Sequence, residues 1–423
     1  MQTHLSPDFK DTPEGEEAQA IIRKCVHCGF CNATCPTYQL LGDELDGPRG
    51  RIYLIKQVLE GADVTRSTQQ HLDRCLTCLN CQTTCPSGVE YGHLVDIGRK
   101  IVDERVERPA AERGARWLLR EGMTSSLFAP ALRVGRALRP LLPAVLKDKV
   151  PGLSRDSAEH TAARGSSDRG ASAPARVHRR AVLMLKGCVQ PAMMPNIDRA
   201  TMRVLAAAGI DTLYAEGTGC CGAVRAHLGA PDKALNDMRR NIDAWLPIVA
   251  TGDVEAVVTS ASACSLAIKE YAHALRGDAQ YAAKAARISG LARDLCELLP
   301  GLVPVLKDKM RGGGLPRLAF HPPCTLQHGQ RLRGGVEMHL RELSFDVEVA
   351  AGDSHWCCGS AGAYSILQPD LARQLRDRKL DNLAKLGPQC IVSANMGCIQ
   401  HLQSGTVTPV RHWIEVLDDA LCA

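Results

Sequence analysis

The second half of the chain alternates short apolar runs with longer amphipathic stretches. Runs of this length, bounded by glycine, proline or polar residues, are typical of buried strands. They lie at Ala181–Leu185, Ala256–Thr259, Leu318–His321 and Cys390–Ser393. Helical segments separate them, and strand–helix alternation favours an α/β fold with a largely parallel sheet. In such sheets the loops after the carboxyl ends of the strands form the natural ligand site.

This pattern occurs twice, and cysteines mark the same positions in both copies. Each copy runs from a strand to a cysteine, then to a Cys-Cys-Gly sequence, and ends on a strand followed by one more cysteine. The matched cysteines are Cys188, Cys220, Cys221 and Cys264 in the first copy, and Cys324, Cys357, Cys358 and Cys398 in the second. All are predicted to fall in loops after strands. Four thiols at matched places, twice, indicate a bound cluster or zinc ion rather than apolar packing.

The first 110 residues have a helical period instead. In Gly50–Glu60 the residues Ile52, Ile55, Val58 and Leu59 share one face of a predicted helix. Thr68–Arg74 predicts a further helical turn. We therefore expect an α+β multidomain protein, with a helix-rich amino-terminal domain followed by two repeated α/β domains.

Two copies of a specific cysteine motif lie in this amino-terminal region. Residues 25–36 and 75–86 both read C-x2-C-x2-C-x3-C-P. This is the bacterial ferredoxin motif, in which the fourth cysteine binds the cluster of the other motif. The motif predicts two [4Fe–4S] clusters, one held by Cys25, Cys28, Cys31 and Cys85 and the other by Cys75, Cys78, Cys81 and Cys35.

Zinc is the alternative occupant of closely spaced cysteines, but it closes its site with four ligands. It would leave half of the eight cysteines and both prolines unexplained. With 39 residues between Cys35 and Cys75, this region resembles the longer, helix-rich ferredoxin domain of respiratory iron–sulfur subunits. Such clusters pass single electrons and do not by themselves oxidise an organic substrate.

The amino-acid composition excludes further classes of function. The chain has 423 residues, 45% of them hydrophobic, so large cores are possible and general disorder is excluded. A net charge of +5 and 4% aromatic residues argue against a nucleic-acid partner. Residues 1–17 are polar and acidic, unlike a signal peptide, and no apolar run approaches a membrane span. Most of the 19 cysteines are therefore expected to be cytoplasmic metal ligands rather than disulfides.

The middle of the chain is basic. Residues 99–180 hold 18 Lys and Arg against 9 Asp and Glu. Phe128–Lys147 mixes apolar residues with Arg133, Arg136 and Arg139. Such a stretch can lie on an anionic membrane surface, bind an acidic partner, or pack on its own protein with its arginines in solvent. Ser154–Pro174 lacks apolar periodicity and predicts a flexible linker.

These features divide the chain into four predicted parts: a ferredoxin domain at 1–110, a basic connector and linker at 111–178, and Cys-Cys-Gly domains at 179–310 and 311–423. Cys296, Cys390 and Cys422 match no pattern and are expected to be ordinary thiols. His321 and His355 lie near ligands of the second copy and could tune a metal centre without binding it.

The whole arrangement resembles the glycolate oxidase iron–sulfur subunit family, and more distantly subunits of heterodisulfide reductase and anaerobic glycerol-3-phosphate dehydrogenase. The segments that carry the resemblance are Cys25–Gln57, His71–Gly88, Pro323–His328, Asp353–Gly362, Asp370–Arg376 and Val410–Glu415. The resemblance extends over nearly the whole chain, with 151–176 as the weak region.

The resemblance implies an electron-transfer role. The family works beside FAD-containing subunits that oxidise glycolate to glyoxylate, and its electrons leave toward a membrane quinone. The one GxGxxG match, at 217–222, is absent from the second copy, so no flavin or nicotinamide is expected on this chain. The alternatives are an iron–sulfur subunit for D-lactate or glycerol 3-phosphate, and a reductase whose own Cys-Cys-Gly clusters cleave a disulfide.

The resemblance also shows one departure. In the heterodisulfide reductase relatives each Cys-Cys-Gly domain ends in C-x-x-C and can hold a non-cubane cluster. Here those ends read Cys264-Ser-Leu-Ala267 and Cys398-Ile-Gln-His401, so the last cysteine is absent from both. Four thiolates still suit a cubane cluster, a zinc ion or a labile cluster. His401 is either a replacement ligand or a surface histidine.

Overall fold

The computed structural model describes residues 1–139, 180–310 and 314–422. The predicted linker Ser154–Pro174 lies outside these residues. The chain divides into two compact units, each built from separate pieces of sequence. Unit 1 contains residues 1–119, 223–234 and 316–410, and unit 2 contains residues 120–222, 235–315 and 411–423. Unit 1 therefore combines the ferredoxin motifs with most of the second repeat, and unit 2 contains most of the first.

The amino-terminal part of unit 1 is helical, as its sequence period predicts. Its helices are α1 (Pro13–Lys24), α2 (Phe30–Ala33), α3 (Pro36–Leu41), α4 (Pro48–Leu59), α5 (Arg66–Asp73), α6 (Asn80–Thr84) and α7 (Tyr91–Arg105). The predicted apolar face of α4 is buried, since Ile52, Ile55, Val58 and Leu59 are at most 3% exposed. These side chains pack with Ile22 of α1 and with residues of α7 in one core that also contains cysteines of both motifs.

Unit 2 contains a parallel four-stranded sheet. Its strands are β1 (Arg180–Met184), β2 (Ile210–Tyr214), β3 (Ala256–Thr259) and β4 (Ala292–Asp294), in the order β2-β1-β3-β4. Strand β1 pairs in parallel with both β2 and β3, and β3 pairs in parallel with β4. All four residues of β3 are buried, which explains its unbroken apolar run.

The second repeat forms an equivalent sheet. Its strands are β5 (Leu318–His321), β6 (Val347–Val349), β7 (Cys390–Ser393) and β8 (Val410–His412), in the order β6-β5-β7-β8. Strand β5 is parallel to both neighbours, with His321 opposite Ser393 on β7. The two repeats thus share one strand order, and the predicted repeat of α/β domains is confirmed.

Helices connect the strands of both repeats. From the connector to the end of the first repeat they are α8 (Ala110–Thr124), α9 (Phe128–Ala137), α10 (Gln190–Met193), α11 (Pro195–Ala207), α12 (Ala223–His227), α13 (Pro231–Ala250), α14 (Ser262–Lys269), α15 (Tyr271–Ala274), α16 (Ala282–Leu291) and α17 (Leu299–Lys307). The second repeat has α18 (Gly335–Glu342), α19 (Tyr364–Leu367), α20 (Pro369–Ala384), α21 (Met396–Gln403) and α22 (Trp413–Cys422), and a π-helical turn at Thr325–Gly329.

The basic stretch folds in part against its own unit. Arg136 of α9 donates to the carbonyl oxygen of Met193, the last residue of α10. This hydrogen bond connects the two helices. Arg133 is exposed, as are the apolar side chains of Val134 and Leu138. The expectation that all three arginines lie in solvent is therefore wrong for Arg136. Within the described residues, no helix has both the length and the apolar character needed to cross a membrane.

Candidate metal centres

The first predicted cluster site has its four cysteines around one pocket, which we name site I. Cys25, Cys28, Cys31 and Cys85 line it, with Cys81 on the side shared with the neighbouring site. Cys25 is buried and Cys28 is exposed, so this pocket reaches the protein surface on the Cys28 side. Val26 and Phe30 are more than 60% exposed beside it.

The second predicted set also surrounds one pocket, which we name site II. Cys35, Cys75, Cys78 and Cys81 line it. Three of these thiols are buried, and Cys78 is partly exposed. Each pocket thus combines three cysteines of one motif with the last cysteine of the other, which is the exchange that the spacing predicts.

Both motifs adopt the same backbone shape around their pocket. Two residues after the first cysteine, His27 and Thr77 have φ values of 60° and 51°. One residue after the second cysteine, Gly29 and Leu79 have φ values of 87° and 60°. Left-handed backbone is costly for residues such as leucine, so a specific loop shape is being maintained. In the second loop it aims a backbone N–H at sulfur, since Thr77 N donates to Cys75 Sγ at 3.4 Å.

The electrostatics of these pockets favour a cationic core. Burial, followed by the neighbouring Cys25, raises the pKa of the Cys31 thiol to about 12. Burial and adjacent cysteines likewise raise the pKa of Cys78 and Cys81 well above the ordinary value. Gathered thiolates therefore need a positive partner in place of protons. A compact group of four such thiols fits an iron–sulfur core.

Site II also has buried positive charge that the sequence did not single out. Burial opposes ionisation of Cys75, but the charges of Arg51 and Arg99 outweigh it and lower the pKa of this thiol. Arg51 is 1% exposed, and its Nε donates to the His71 carbonyl oxygen at 2.7 Å. Arg99 donates to the carbonyl oxygen of Cys75 at 2.6 Å. These two arginines hold the loop and offset the negative charge of a bound cluster.

The four cysteines of the first repeat come together in unit 2, and we name this group the repeat-1 site. Hydrogen bonding with Cys220 and then with Cys264, together with burial, raises the pKa of Cys221 well above its ordinary value. Contact with Cys220 also raises the pKa of Cys188. All four predicted residues are thus brought together.

Buried polar side chains support the Cys-Cys-Gly turn of the first repeat. Asn241 Nδ2 donates to the Cys220 carbonyl oxygen at 2.8 Å, and Asn241 Oδ1 accepts from Gly219 N at 3.0 Å. The Tyr271 hydroxyl donates to the Cys221 carbonyl oxygen at 3.0 Å. Asn241 and Tyr271 were not predicted, because their positions bear no fixed spacing to the motif.

The second repeat contains the equivalent repeat-2 site, in unit 1. Cys324, Cys357, Cys358 and Cys398 are all buried, and Cys324 Sγ lies 3.8 Å from Cys357 Sγ. Contact with Cys357, followed by burial, raises the pKa of Cys324 well above its ordinary value. Contacts among the remaining thiols extend from Cys357 to Cys358 and from Cys358 to Cys398. The four predicted residues again form one group.

In both repeats the backbone N–H of the glycine in the Cys-Cys-Gly turn donates to a cysteine sulfur. Gly222 N donates to Cys220 Sγ and Gly359 N donates to Cys357 Sγ, each at 3.4 Å. Gly222 and Gly359 have φ values of 93° and 90°, which glycine adopts without strain. Both glycines thus form tight turns that direct backbone donors to the thiols.

The histidines near the repeat-2 site differ in their contacts. His401 is buried rather than on the surface, and its Nε2 lies 3.1 Å from the Ala372 carbonyl oxygen. His328 Nε2 bonds to the His355 carbonyl oxygen at 2.8 Å. His321 is 1% exposed, and one of its ring nitrogens lies within 4.8 Å of the sulfur atoms of Cys358 and Cys398. Burial lowers the pKa of His321 well below its usual range, so its imidazole is neutral.

A buried lysine also faces this site. Lys379 is 2% exposed, and its ammonium donates to the carbonyl oxygens of Asp353 and Ser354. Burial lowers its pKa to about 8, against the opposing effect of Cys358 and Cys357. Lysine is rarely buried without a partner, so sequence reasoning gave no reason to select it.

Site II and the repeat-2 site are packed together inside unit 1. Leu76, next to the first cysteine of site II, is buried in the same apolar cluster as Cys324 and Cys357, and Cys78 packs against that cluster. The Tyr364 hydroxyl donates to the Arg74 carbonyl oxygen at 3.1 Å. Thr83 of α6 bonds to His328 Nδ1 at 2.9 Å. The two cysteine sites are therefore neighbours within one core.

Comparison with known proteins agrees with these sites. Residues 21–89 match the 4Fe-4S dicluster domain family, and residues 182–269 and 318–403 each match the cysteine-rich domain family. The glycolate oxidase iron–sulfur subunit of Escherichia coli is 52% identical over all of this chain and 99% of its own length. A probable glycolate oxidase iron–sulfur subunit of Bacillus subtilis is 29% identical over 95% of this chain and 92% of its own length.

A shorter relative covers only part of the chain. Lactate utilization protein A of Geobacillus thermodenitrificans is 29% identical over 55% of this chain and 95% of its own length. The dicluster motifs, the two cysteine-rich repeats and the grouped thiols define an iron–sulfur electron-transfer subunit of an oxidoreductase complex. More particularly, the chain belongs to the family of glycolate oxidase iron–sulfur subunits.

Proposed function

We propose that this chain passes electrons from a partner FAD-containing subunit, which oxidises glycolate to glyoxylate, toward a membrane quinone. Site I and site II each hold a [4Fe–4S] cluster in this proposal. The ligands are Cys25, Cys28, Cys31 and Cys85 in site I, and Cys75, Cys78, Cys81 and Cys35 in site II. Support comes from the relatives named as glycolate oxidase iron–sulfur subunits and from the pocket that each set of thiols lines.

The observation that carries the proposal is the shared core between site II and the repeat-2 site. Leu76 and Cys78 pack with Cys324 and Cys357, so few atoms separate the two groups of thiols. Electron transfer weakens with distance, and a centre placed here extends the path beyond the two ferredoxin clusters. Electrons enter at site I, where Cys28 is exposed, cross site II and continue into the repeat-2 site.

The cysteines of both repeats are metal ligands in this proposal. The repeat-2 site holds an iron–sulfur centre that takes part in the path. The repeat-1 site holds a cluster or a zinc ion, since four closely grouped thiols suit either. The raised thiol pKa values at Cys221 and Cys324 support a bound cation at both places.

Matched cysteine variants of the assembled complex test this proposal. We expect Cys28→Ser and Cys78→Ser to abolish glycolate-dependent reduction of a quinone analogue, while flavin stays bound and is still reduced by glycolate. Cys390→Ala is the control, because Cys390 lies in β7 and matches no ligand pattern. Unchanged turnover in both ligand variants would contradict the proposed electron path.

A further variant separates an electron-transfer role of the second repeat from a docking role. We expect Cys357→Ser to leave sites I and II reducible by glycolate but to slow their reoxidation by the quinone analogue. If reoxidation stays at the wild-type rate while iron is lost from the repeat-2 site, the second repeat serves assembly instead.

Related substrates give one further candidate function. Relatives named lactate utilization protein A match about half of this chain, and lactate, like glycolate, is a 2-hydroxy acid. The partner flavoprotein sets the substrate, so the co-purified complex should be assayed with glycolate, D-lactate and glycerol 3-phosphate. Faster flavin reduction by D-lactate than by glycolate would assign the complex to lactate oxidation.

Membrane contact is proposed to be peripheral and to use α9. The exposed Val134 of α9 and Leu138 directly after the helix, with Arg133 nearby, suit an anionic lipid surface. Flotation with anionic vesicles tests this. We expect Arg133→Gln with Leu138→Ser to weaken binding, and Arg105→Gln, an exposed change on α7, to leave it unchanged. Equal flotation of all variants would contradict the assignment.

A further inference from the structure

His321 has no partner for either ring nitrogen among the described residues, although it is buried. Its side chain is 1% exposed, and neither Nδ1 nor Nε2 makes a hydrogen bond. An unsatisfied buried polar group is destabilising, because it loses its hydrogen bonds to water and gains none in the fold. By contrast, His412 is fully buried but bonds through both nitrogens, to the Ser260 carbonyl oxygen and to Ile414 N. The isolation of the His321 ring therefore needs an explanation.

The surroundings of the ring supply one. A ring nitrogen of His321 and the sulfur atoms of Cys358 and Cys398 all lie within 4.8 Å of one another. A metal bound to nitrogen and sulfur at ordinary lengths places those ligand atoms roughly 3.6 Å apart. One metal atom can therefore contact all three side chains after small movements. An imidazole aimed at two metal-binding thiols is a typical ligand arrangement.

The first repeat shows that the fold does not require this histidine. His321 lies three residues before Cys324, and the residue three before Cys188 is Leu185. Leu185 is buried like His321, so the same strand end accepts an apolar side chain. The two sites thus share four matched cysteines but differ at this position. The difference points to chemistry at the repeat-2 site rather than to packing.

We propose that His321 supplies an imidazole ligand to an iron of the centre held by Cys324, Cys357, Cys358 and Cys398. The identity of the metal as iron rests on the proposed function, whereas the ligand role rests on the geometry. The fifth ligand of this site then comes from the end of β5. It does not come from His401, whose Nε2 bonds to the Ala372 carbonyl oxygen.

This ligand favours electron flow into the repeat-2 site. An imidazole is neutral where a thiolate is negative, and replacing thiolate by imidazole raises the reduction potential of an iron–sulfur centre. A centre completed by His321 therefore accepts electrons more readily than one completed by a fifth thiolate. The repeat-2 site therefore becomes the acceptor for the neighbouring cluster of site II.

Pulsed EPR on the reduced full chain tests the assignment directly. The chain is prepared anaerobically with 15N-labelled histidine, so that a coordinated imidazole gives a strong 15N coupling. We expect this coupling in the wild-type protein and in His401→Ala, and its loss in His321→Ala. A wild-type chain with iron at the repeat-2 site and no coordinated 15N coupling overturns the proposal. So does coupling that disappears in His401→Ala and survives in His321→Ala.

If His321→Ala loses its metal, a second variant still tests the assignment. His321→Cys offers a thiolate at the same place, and we expect it to keep iron, lose the 15N coupling and shift the potential of the centre downward. Retention of the coupling in this variant contradicts the assignment. A wild-type potential for its iron-loaded centre also contradicts it.

Metal analysis keeps this inference separate from the proposed function. Zinc in place of iron at the repeat-2 site would refute the extended relay. Zinc-edge X-ray absorption then decides the role of His321. A nitrogen ligand that is lost in His321→Ala supports imidazole binding, and a shell of sulfur alone overturns it.

Discussion

At the scale of single residues, buried charge beside site II governs how easily its cluster accepts an electron. Arg51 is enclosed between the His71 carbonyl oxygen, Thr37 and Asp46, to which its nitrogens bond at 2.7, 3.1 and 3.4 Å. Its charge also lowers the pKa of Cys75, against the effect of burial. A group that favours a thiolate also favours a reduced, more negative cluster.

We predict that Arg51→Gln lowers the reduction potential of the site II cluster. The lost Coulomb stabilisation of the reduced form is on the order of 1–2 kcal/mol at an effective dielectric constant of about 20. Lys56→Gln is the control, since Lys56 lies on the same helix but pairs with Glu60. A redox titration followed by EPR measures both. An unchanged potential in Arg51→Gln would show that Arg51 is only structural.

A buried histidine makes the stability of unit 2 depend on pH. His412 donates to the Ser260 carbonyl oxygen at 2.8 Å and accepts from Ile414 N at 3.1 Å, so the neutral ring is satisfied. Burial lowers its pKa from 6.5 to about 4. The unfolded chain therefore binds an extra proton between these values, and stability is lost as pH falls through this range.

We predict that the free energy of unfolding drops by up to about 3 kcal/mol between pH 6.5 and 4 because of this residue alone. The His412→Asn variant is less stable at pH 7 but loses less stability on acidification. Denaturant unfolding at several pH values, followed by the tryptophan fluorescence of unit 2, measures the difference. Equal acid sensitivity of the two proteins would exclude His412 as the cause.

At the scale of elements, the Cys-Cys-Gly turn depends on a backbone shape that only glycine adopts easily. Gly359 has a φ of 90°, and a Cβ built there would lie 2.6 Å from the Ala372 carbonyl oxygen in α20. Gly362 also has a positive φ, of 62°, but its Cβ would meet open space. A substitution at either glycine carries the cost of left-handed backbone, but only a substitution at Gly359 also clashes with α20. Comparing the two therefore separates these effects.

We predict that Gly359→Ala destabilises the second repeat by more than about 2 kcal/mol and releases metal from the repeat-2 site. Gly362→Ala should cost only about 1 kcal/mol, the penalty for left-handed backbone, and should retain its metal. Iron content and thermal unfolding of the two variants report the contrast. Equal metal retention would mean that the turn does not position the thiols.

The elements also show what sequence patterning can and cannot reveal. The four predicted strands are confirmed because each is a buried apolar run next to a cysteine. Strands β4 and β8 were missed, since each has three residues with one exposed or half-buried side chain and no run to detect. The helical face of α4 was predicted because its spacing persists over three turns.

The site residues divide in the same way. The sixteen candidate ligands follow from spacing in the sequence, which fixes neighbours within a loop. Arg51, Lys379 and Asn241 could not be found, because each acts from an element distant in sequence and its residue type is usually exposed. The sequence places His321 near Cys324, but it does not show whether the ring binds a metal. Only the fold shows that both ring nitrogens lack a hydrogen-bond partner.

At the scale of the molecule, unit 1 joins parts of the sequence that are more than two hundred residues apart. Thr83 bonds to His328, and Tyr364 bonds to the Arg74 carbonyl oxygen. These contacts fix the ferredoxin helices against the second repeat and place site II next to the repeat-2 site. No pattern within either segment indicates this neighbour relation, which is why an electron path from site II into the second repeat can be proposed only from the fold.

We predict that Tyr364→Phe leaves both cysteine sites loaded but loosens this contact. Loss of one hydrogen bond costs on the order of 1 kcal/mol. Hydrogen exchange at 70–80 should then become faster. Tyr281→Phe serves as the control, because Tyr281 contacts Asp243 and Arg239 at the surface of unit 2. Unchanged exchange would show that this hydrogen bond does not hold the two segments together.

The central claim is that iron–sulfur centres continue from the ferredoxin sites into the second repeat. The most direct test is iron, sulfide and zinc analysis of the anaerobically purified chain, with EPR of the reduced protein on the same sample. The account predicts about twelve irons or more, since each [4Fe–4S] cluster holds four, and spin coupling that disappears in Cys357→Ser. About eight irons without such coupling would confine the relay to sites I and II, and fewer than about eight would contradict the two-cluster assignment itself.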